Sequence, residues 1–470
     1  MYQDKINAYF DNPAVQRELV GAIARLVSVK SVKGEAQEGA PFGPGPRAAL
    51  DEALKLCSEL GFETRDYDHY VGLADLNDRE TQLHILGHLD VVGEGSGWDT
   101  DPYTCVEKDG MLYGRGVSDD KGPVCAALFG MKAVKDLGIP LSKNVRLILG
   151  TDEESGSQDI AYYYAREPFA PMAFTPDANF PLINVEKGHF GPHFGTDWAP
   201  ETAEPRVTSL TGGFRRNVVP PEAEAVIAGL TAAQVEPLCG PAAEKTGAKF
   251  TVTGTEGGVT LHCTGKNAHA AMPDDGINAI QAILEVLAAL PLAECESTKA
   301  IRSMHTLFPF GDNRGKGLGI AMKDEVSGET TVNLALIDLN EAGFSADIDS
   351  RVAVCANEEN CVKACEESLK KHGLRFLTQP RMMEAHIVEA DSPLVKTLLE
   401  CYSAYTGERD PQPIAIGGGT YVHHIPGGVA FGCEFPGFDP KMHSANEQAR
   451  VDQLVTSAKI FALAIARLCK

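Results

Sequence analysis

Apolar residues recur at helical spacing in two early stretches. Leu19, Val20, Ile23, Leu26 and Val27 mark residues 14–28, and Leu50, Leu54, Cys57 and Leu60 mark residues 46–60. Gly61 stands where the second helix should stop. The run LHILGH at 83–88 is nearly continuous in apolar character and predicts a buried strand. VRLILG at 145–150 predicts another, and MAFTPD at 172–177 a third. A helix from about Gly122 to Leu137 separates the first two strands. Strands alternating with helices predict an α/β domain with a mainly parallel sheet.

The pattern changes after about residue 188. RVTSLTGG, KFTVTGT and GVTLHCTGK read as short antiparallel strands with turns, and TTVNLALIDLN (330–340) and FSADIDSRV continue the theme. An amphipathic helix begins near Ile277 and presents Ile280, Ile283, Val286, Leu287 and Leu290 on one face. CVKACEESLKKHG (361–373) is predicted helical. After about residue 383 the first texture returns, with SPLVKTLLECYSAYTG (392–407) and a final helix from about Val451. The expected organisation is a catalytic α/β domain in two parts, 1–188 and 383–470, with an α+β domain inserted at 189–382.

Composition narrows the function classes. Among 470 residues, 43% are hydrophobic and 23% charged, which suits a globular chain with a large core. The net charge of −23 argues against nucleic acid as a partner, because such binding neutralises phosphates with Lys and Arg. No basic run favours a membrane surface. The first residues, MYQDKINAYFDNPAVQREL, lack the apolar core of a signal peptide. Twelve cysteines are scattered with no C-x-x-C pair, and nothing completes a zinc site around Cys361 and Cys365. Free thiols in a reducing cytoplasm are the expectation.

Five segments carry candidate chemistry. His88, in Gly87-His88-Leu89-Asp90, closes a predicted strand at the edge where open α/β sheets place ligand sites. Alternation sets Asp90 on the same face, so its carboxylate can hold the other ring nitrogen; a lone strand-end His is more often a plain hydrogen-bonded residue. In Gly114-Arg115-Gly116-Val117-Ser118-Asp119-Asp120-Lys121-Gly122, glycines give a tight loop before a helix. Its two carboxylates repel phosphate but suit the helix dipole, so one reading is a capping Asp and the other a carboxylate shared by two cations. Thr151-Asp152-Glu153-Glu154-Ser155-Gly156 follows a strand directly. It is either a solvated acidic loop or a pair of neighbours with two jobs, cation ligand and general base. Asp177 lies in Phe174-Thr175-Pro176-Asp177-Ala178-Asn179, and His443 in Met442-His443-Ser444-Ala445-Asn446-Glu447. The mix of imidazole and carboxylate suits zinc, manganese or cobalt over magnesium or calcium.

In this order, GHLDVV, GWDTDPY, GMLYGRGVSDDKGP, TDEESGS, TPDANFP, NAHAAMPDDGINA, GGGTYV and MHSANE resemble the co-catalytic metallopeptidases. That family includes carboxypeptidase G, carnosinases, aminoacylases and succinyl-diaminopimelate desuccinylase. TPDANFP followed by VEKGH, with the long middle domain, looks most like the bacterial PepV-type dipeptidases. The resemblance implies two divalent metal ions, zinc first among the candidates, with His88, Asp119, Glu154, Asp177 and His443 as ligands. Asp119 would bridge, His88 and Asp177 would serve one ion, and Glu154 and His443 the other. It also implies Glu153 as general base, Asp90 as the residue orienting His88, and His269 as a lid histidine that stabilises the oxyanion. Asn217, Arg351 and the Gly417-Gly418-Gly419-Thr420 segment would contact the substrate, Arg351 at its carboxylate.

The function so implied is dipeptide hydrolysis in the cytoplasm by a shared, acidified water, with a small peptide as partner and a monomer or small homo-oligomer as the assembly. An N-acyl amino acid amidohydrolase of the same architecture is the alternative. Nucleotide binding on Gly114–Gly116 or Gly417–Gly419 is disfavoured by flanking acids and the lack of a Gly-Lys-Ser/Thr ending.

Overall fold

The computed structural model of the protein describes residues 2–470. These form two compact units, one of residues 2–185, 386–414 and 419–470, the other of residues 186–385 and 415–418.

Four neighbouring strands at the centre of the first unit's sheet run parallel: Asn144–Gly150, Thr81–His88, Met172–Thr175 and Val429–Ala430. Register pairs His88 with Gly150 and Ile85 with Phe174. Strands covered on both faces need apolar residues at successive positions, and Leu83 through Asp90 is accordingly buried throughout. Antiparallel strands flank the centre, Val71–Asp75 and Glu63–Tyr67 on one side and Ile183–Glu186 on the other. Because the central strands share a direction, the residues that follow them emerge at one edge. That places 88–90, 151–154 and 176–177 together.

Helix Lys121–Asp136 is buried over most of its length and packs on Val451–Leu468. Gly130 permits the approach, since a β-carbon there would stand 3.0 Å from that of Phe461. The Phe461 ring in turn lies 5.5 Å from Phe174 and 6.0 Å from Phe431, joining helix to sheet. Phe461→Ala is expected to cost about 3–5 kcal/mol, as large-to-small changes in a packed core do. A lowered urea midpoint for the cation-free protein checks this, and an unchanged midpoint contradicts it. The early helices form as the pattern predicts, at Pro13–Val27 and Pro44–Glu59, and Gly61 follows the second with φ 81°.

The second unit is built on an antiparallel sheet. Its main path runs Lys249–Thr255, Gly258–Thr264, Glu222–Ala228, Arg206–Gly212, Thr331–Asn340, Gly343–Val352, His193–Asp197 and Arg375–Phe376. The amphipathic helix spans Ala279–Ala289 rather than starting at Ile277. Asn278 caps it by accepting from the N–H groups of Ile280 and Gln281, and Ile277 is taken by a bridge to Lys266. The 361–373 helix begins earlier than its apolar pattern, as a wide turn over Glu358–Lys363 capped by Asn357, then continues as Ala364–Lys371. Residues 415–418 join this unit through Lys187 N–H to the Ile416 carbonyl at 2.9 Å and Arg351 Nη1 to the Gly417 carbonyl at 2.6 Å.

All twelve cysteines are free thiols, and Cys355 alone is exposed. No helix among the described residues is long and apolar enough to cross a membrane.

Candidate metal centre

His88 ends its strand with the ring fully buried. Nδ1 lies 2.9 Å from the Asp90 carbonyl oxygen, which can only accept, so the proton sits on Nδ1 and Nε2 offers a lone pair. Nε2 is 3.0 Å from Asp119 Oδ1 and 3.5 Å from Asp177 Oδ2, yet neither oxygen lies in hydrogen-bonding direction. A buried lone pair aimed between carboxylates calls for a cation.

The sequence reading put the Asp90 carboxylate against the ring. In the structure the strand ends at His88, and Asp90 Oδ1 stands 3.5 Å from Nδ1. Its two oxygens instead accept the backbone N–H groups of Glu153 and Glu154, each at 3.1 Å. Asp90 therefore fixes the imidazole through its carbonyl and both acids through its side chain.

The acidic pair before helix Lys121–Asp136 also divides its work. Asp120 occupies the N-cap position but makes no side-chain cap; its Oδ2 accepts the His88 N–H at 3.0 Å. Asp119 turns one oxygen to each imidazole, Oδ1 to His88 at 3.0 Å and Oδ2 to His443 Nε2 at 2.9 Å. Two groups of ligand atoms result, His88 with Glu153 and Asp177, and Asp119 with Glu154 and His443. His443 Nε2 is 3.1 Å from Glu154 Oε1. His443 and Asn446 both adopt left-handed backbone, φ 58° and 60°, at a cost on the order of 1–3 kcal/mol each.

Electrostatics match the geometry. Burial pushes the Glu153 carboxyl well above its usual range, and Asp177, Glu154 and Asp119 add to this against the opposing effect of His88. Burial and Asp119 lift Glu154 to about 7 despite His443. Burial and Asp119 raise Asp177 as well. Bonds to Asp119 and Glu154 carry His443 up to about 11. For Asp119, burial is outweighed by the His443 and His88 imidazoles beside it, so its carboxyl titrates below the ordinary range. Four crowded carboxylates resist full ionisation unless positive charge joins them, and two imidazoles complete a donor set suited to zinc, manganese or cobalt. These residues fit a pair of divalent cations.

Sequence reasoning missed the supports around this centre. Asp159 Oδ2 accepts the N–H groups of Thr151 (2.6 Å) and Asp152 (3.0 Å) and the Tyr421 hydroxyl. Lys33 Nζ pairs with Asp152 Oδ1 at 2.6 Å. Spacing alone gives no signal for these contacts, although Asp152 and Tyr421 stand inside the TDEESGS and GGGTYV segments.

The remaining predicted residues fall mostly in the second unit. Asn217 and His269 are neighbours there: the Asn217 carbonyl accepts the Ala270 N–H at 2.9 Å, and Val218 bridges to His269. His269 Nδ1 accepts from the Ala271 N–H at 3.1 Å, which leaves the proton of the neutral ring on Nε2. Arg351 is a braced group: Nε and Nη2 reach the two oxygens of Asp349 at 2.7 and 3.1 Å. Gly418 belongs to this unit, whereas Gly419 and Thr420 belong to the first. The Thr420 hydroxyl accepts from Val422 N–H at 3.3 Å and caps the turn Tyr421–His424.

Comparison with known proteins identifies the family. The model of Peptidase family M20/M25/M40 matches residues 84–467. A Bacillus subtilis protein described as "Putative dipeptidase YtjP" is 36% identical over 460 residues, covering 97% of this chain and 98% of its own. A Staphylococcus epidermidis protein described as "Putative dipeptidase" is 31% identical over 477 residues, covering 100% and 99%. The crystal structure of human carnosine dipeptidase 1 shares the fold, with TM-score 0.58 at 17% identity over 100% of this chain and 99% of its own. With the family model spanning most of its length and relatives matched end to end, the protein belongs to Peptidase family M20/M25/M40 and is a metallopeptidase.

Proposed function

We propose that the protein is a dipeptidase that hydrolyses the single peptide bond of substrates with a free carboxylate. The observation that carries the catalytic part is Asp119, whose two oxygens face His88 and His443 while Glu153 stands in the adjoining ligand group. His88 and Asp177 would hold one divalent cation and Glu154 and His443 the other, with Asp119 shared. Such a pair, when bound, polarises a carbonyl and acidifies water at neutral pH. Glu153 takes the proton of the attacking water and returns it to the leaving amine; Asp90 accepts its backbone N–H for that task, and Asp159 holds the preceding backbone at Thr151 and Asp152. His269, with its proton on Nε2, is the proposed donor to the oxyanion. Arg351, braced by Asp349, is the proposed partner of the substrate carboxylate, joined by Asn217, Gly418, Gly419 and Thr420. The dipeptidase names of the full-length relatives support the substrate class.

The test is a panel of dipeptides, their C-terminal amides and N-acetyl amino acids. It is run on chelator-treated protein and again after zinc, manganese or cobalt is restored. Free dipeptides should be cleaved only with the cation present, and amidation should slow them at least about tenfold, the loss expected when a charged hydrogen-bond partner is removed. Equal rates on dipeptide and amide would remove the carboxylate role of Arg351. Preference for N-acetyl amino acids would replace the dipeptidase reading with a deacylase.

A further inference from the structure

Glu447 stands four residues beyond His443 and is completely buried. Its Oε1 accepts three backbone N–H groups, from Gly116 at 3.0 Å, Ser118 at 2.9 Å and Asp119 at 3.1 Å. Oε2 accepts from Arg115 Nη1 at 2.7 Å, and the Glu447 carbonyl accepts the Gly114 N–H at 3.1 Å. One residue thus grips the 114–119 loop at five points. Arg115 is buried too; it reaches the carbonyls of Gly93 and Glu94 and lies 5.2 Å from the Trp98 ring. A buried carboxylate is tolerated only with such complete pairing.

This grip has a specific geometric effect. Asp119 is the last residue of the loop it holds, and Asp119 Oδ2 faces His443 at 2.9 Å. His443 lies on no strand or helix; its segment is irregular, with left-handed backbone at 443 and 446. The sheet that aims His88 therefore does not aim His443. Glu447 joins the segment of His443 to the loop of Asp119, beside the strand pairing of Gln448–Arg450 with Met111–Tyr113.

We propose that Glu447 is a positioning residue that sets Asp119 against His443 and so determines the affinity of the cation site they form with Glu154. The proposal rests on the reading of those three residues as cation ligands. Chelator-stripped protein is titrated with cobalt(II) chloride by calorimetry, and the visible absorption of the bound ion is followed alongside. The unaltered protein is expected to take up two ions, and His443→Ala to hold only one tightly. Glu447→Ala, which removes the acceptor of all three loop N–H groups, is expected to keep one ion at unaltered affinity and to hold the other about 10–100-fold more weakly, the usual effect of removing a group that supports ligands. Arg115→Lys leaves the three amide bonds in place and is expected to change neither affinity measurably while lowering the melting temperature. If Glu447→Ala does not fold, Glu447→Asp, charged but one methylene shorter, should show the same selective weakening.

Unaltered affinity for both ions in the Glu447 variant, or equal weakening in Arg115→Lys, overturns the proposal. Protein that takes up no cobalt, or His443→Ala that keeps both ions, overturns the ligand reading instead. The two failures are therefore distinguishable.

Discussion

Glu153→Gln is expected to lower kcat by about two to four orders of magnitude while two cations stay bound, the range that a positioned general base contributes. The amide matches the carboxylate in size, so the 3.1 Å bonds from Asp90 to the backbone N–H groups of 153 and 154 need not change. What it loses is the ability to take a proton. Glu153 is suited to that transfer by its surroundings: burial and the neighbouring carboxylates favour its protonated form, whereas added cations favour the ionised one. Balanced between them, it can take a proton and give it back. Rate measurement with elemental analysis of the same sample decides the matter. Near-normal turnover would remove Glu153 from the role of base, and loss of an ion alongside the rate would make it a ligand.

Much of the fold was legible because its signals are local. LHILGH and VRLILG read as buried strands because a parallel strand covered on both faces is apolar over most of its length, and the two now pair His88 with Gly150. His88, Glu153, Glu154 and Asp177 stood out because they sit at or just beyond strand ends that a shared direction brings to one edge. What the sequence hid was long-range or backbone-mediated. Asp90 grips Glu153 and Glu154 by their N–H groups, and no side-chain pattern encodes that. Asp159 reads as an ordinary first-turn acid of a short helix, yet it holds the 151–152 backbone and the hydroxyl of Tyr421, 262 positions away. The 415–418 segment joins the second unit through hydrogen bonds that no texture change announces.

The two-sided ligand proposed here has a sharper signature than any of its neighbours. Asp119 presents Oδ1 to His88 and Oδ2 to His443, so its loss reaches both ligand groups, whereas loss of His443 reaches one. Asp119→Asn keeps the shape but removes the charge and turns one oxygen into a donor nitrogen aimed at an imidazole or a cation. Both ions should then bind at least about tenfold more weakly, by the measure of perturbed cation sites. Peptidase activity should vanish at cation levels that saturate the unaltered protein. His443→Ala should spare one ion under the same conditions. The pair of variants separates a shared ligand from a general loosening, because loosening would weaken both ions in each. If elemental analysis of Asp119→Asn still found two tightly held ions, the oxygens facing His88 and His443 would be doing no more than accepting hydrogen bonds, and the two ligand groups would have to be independent.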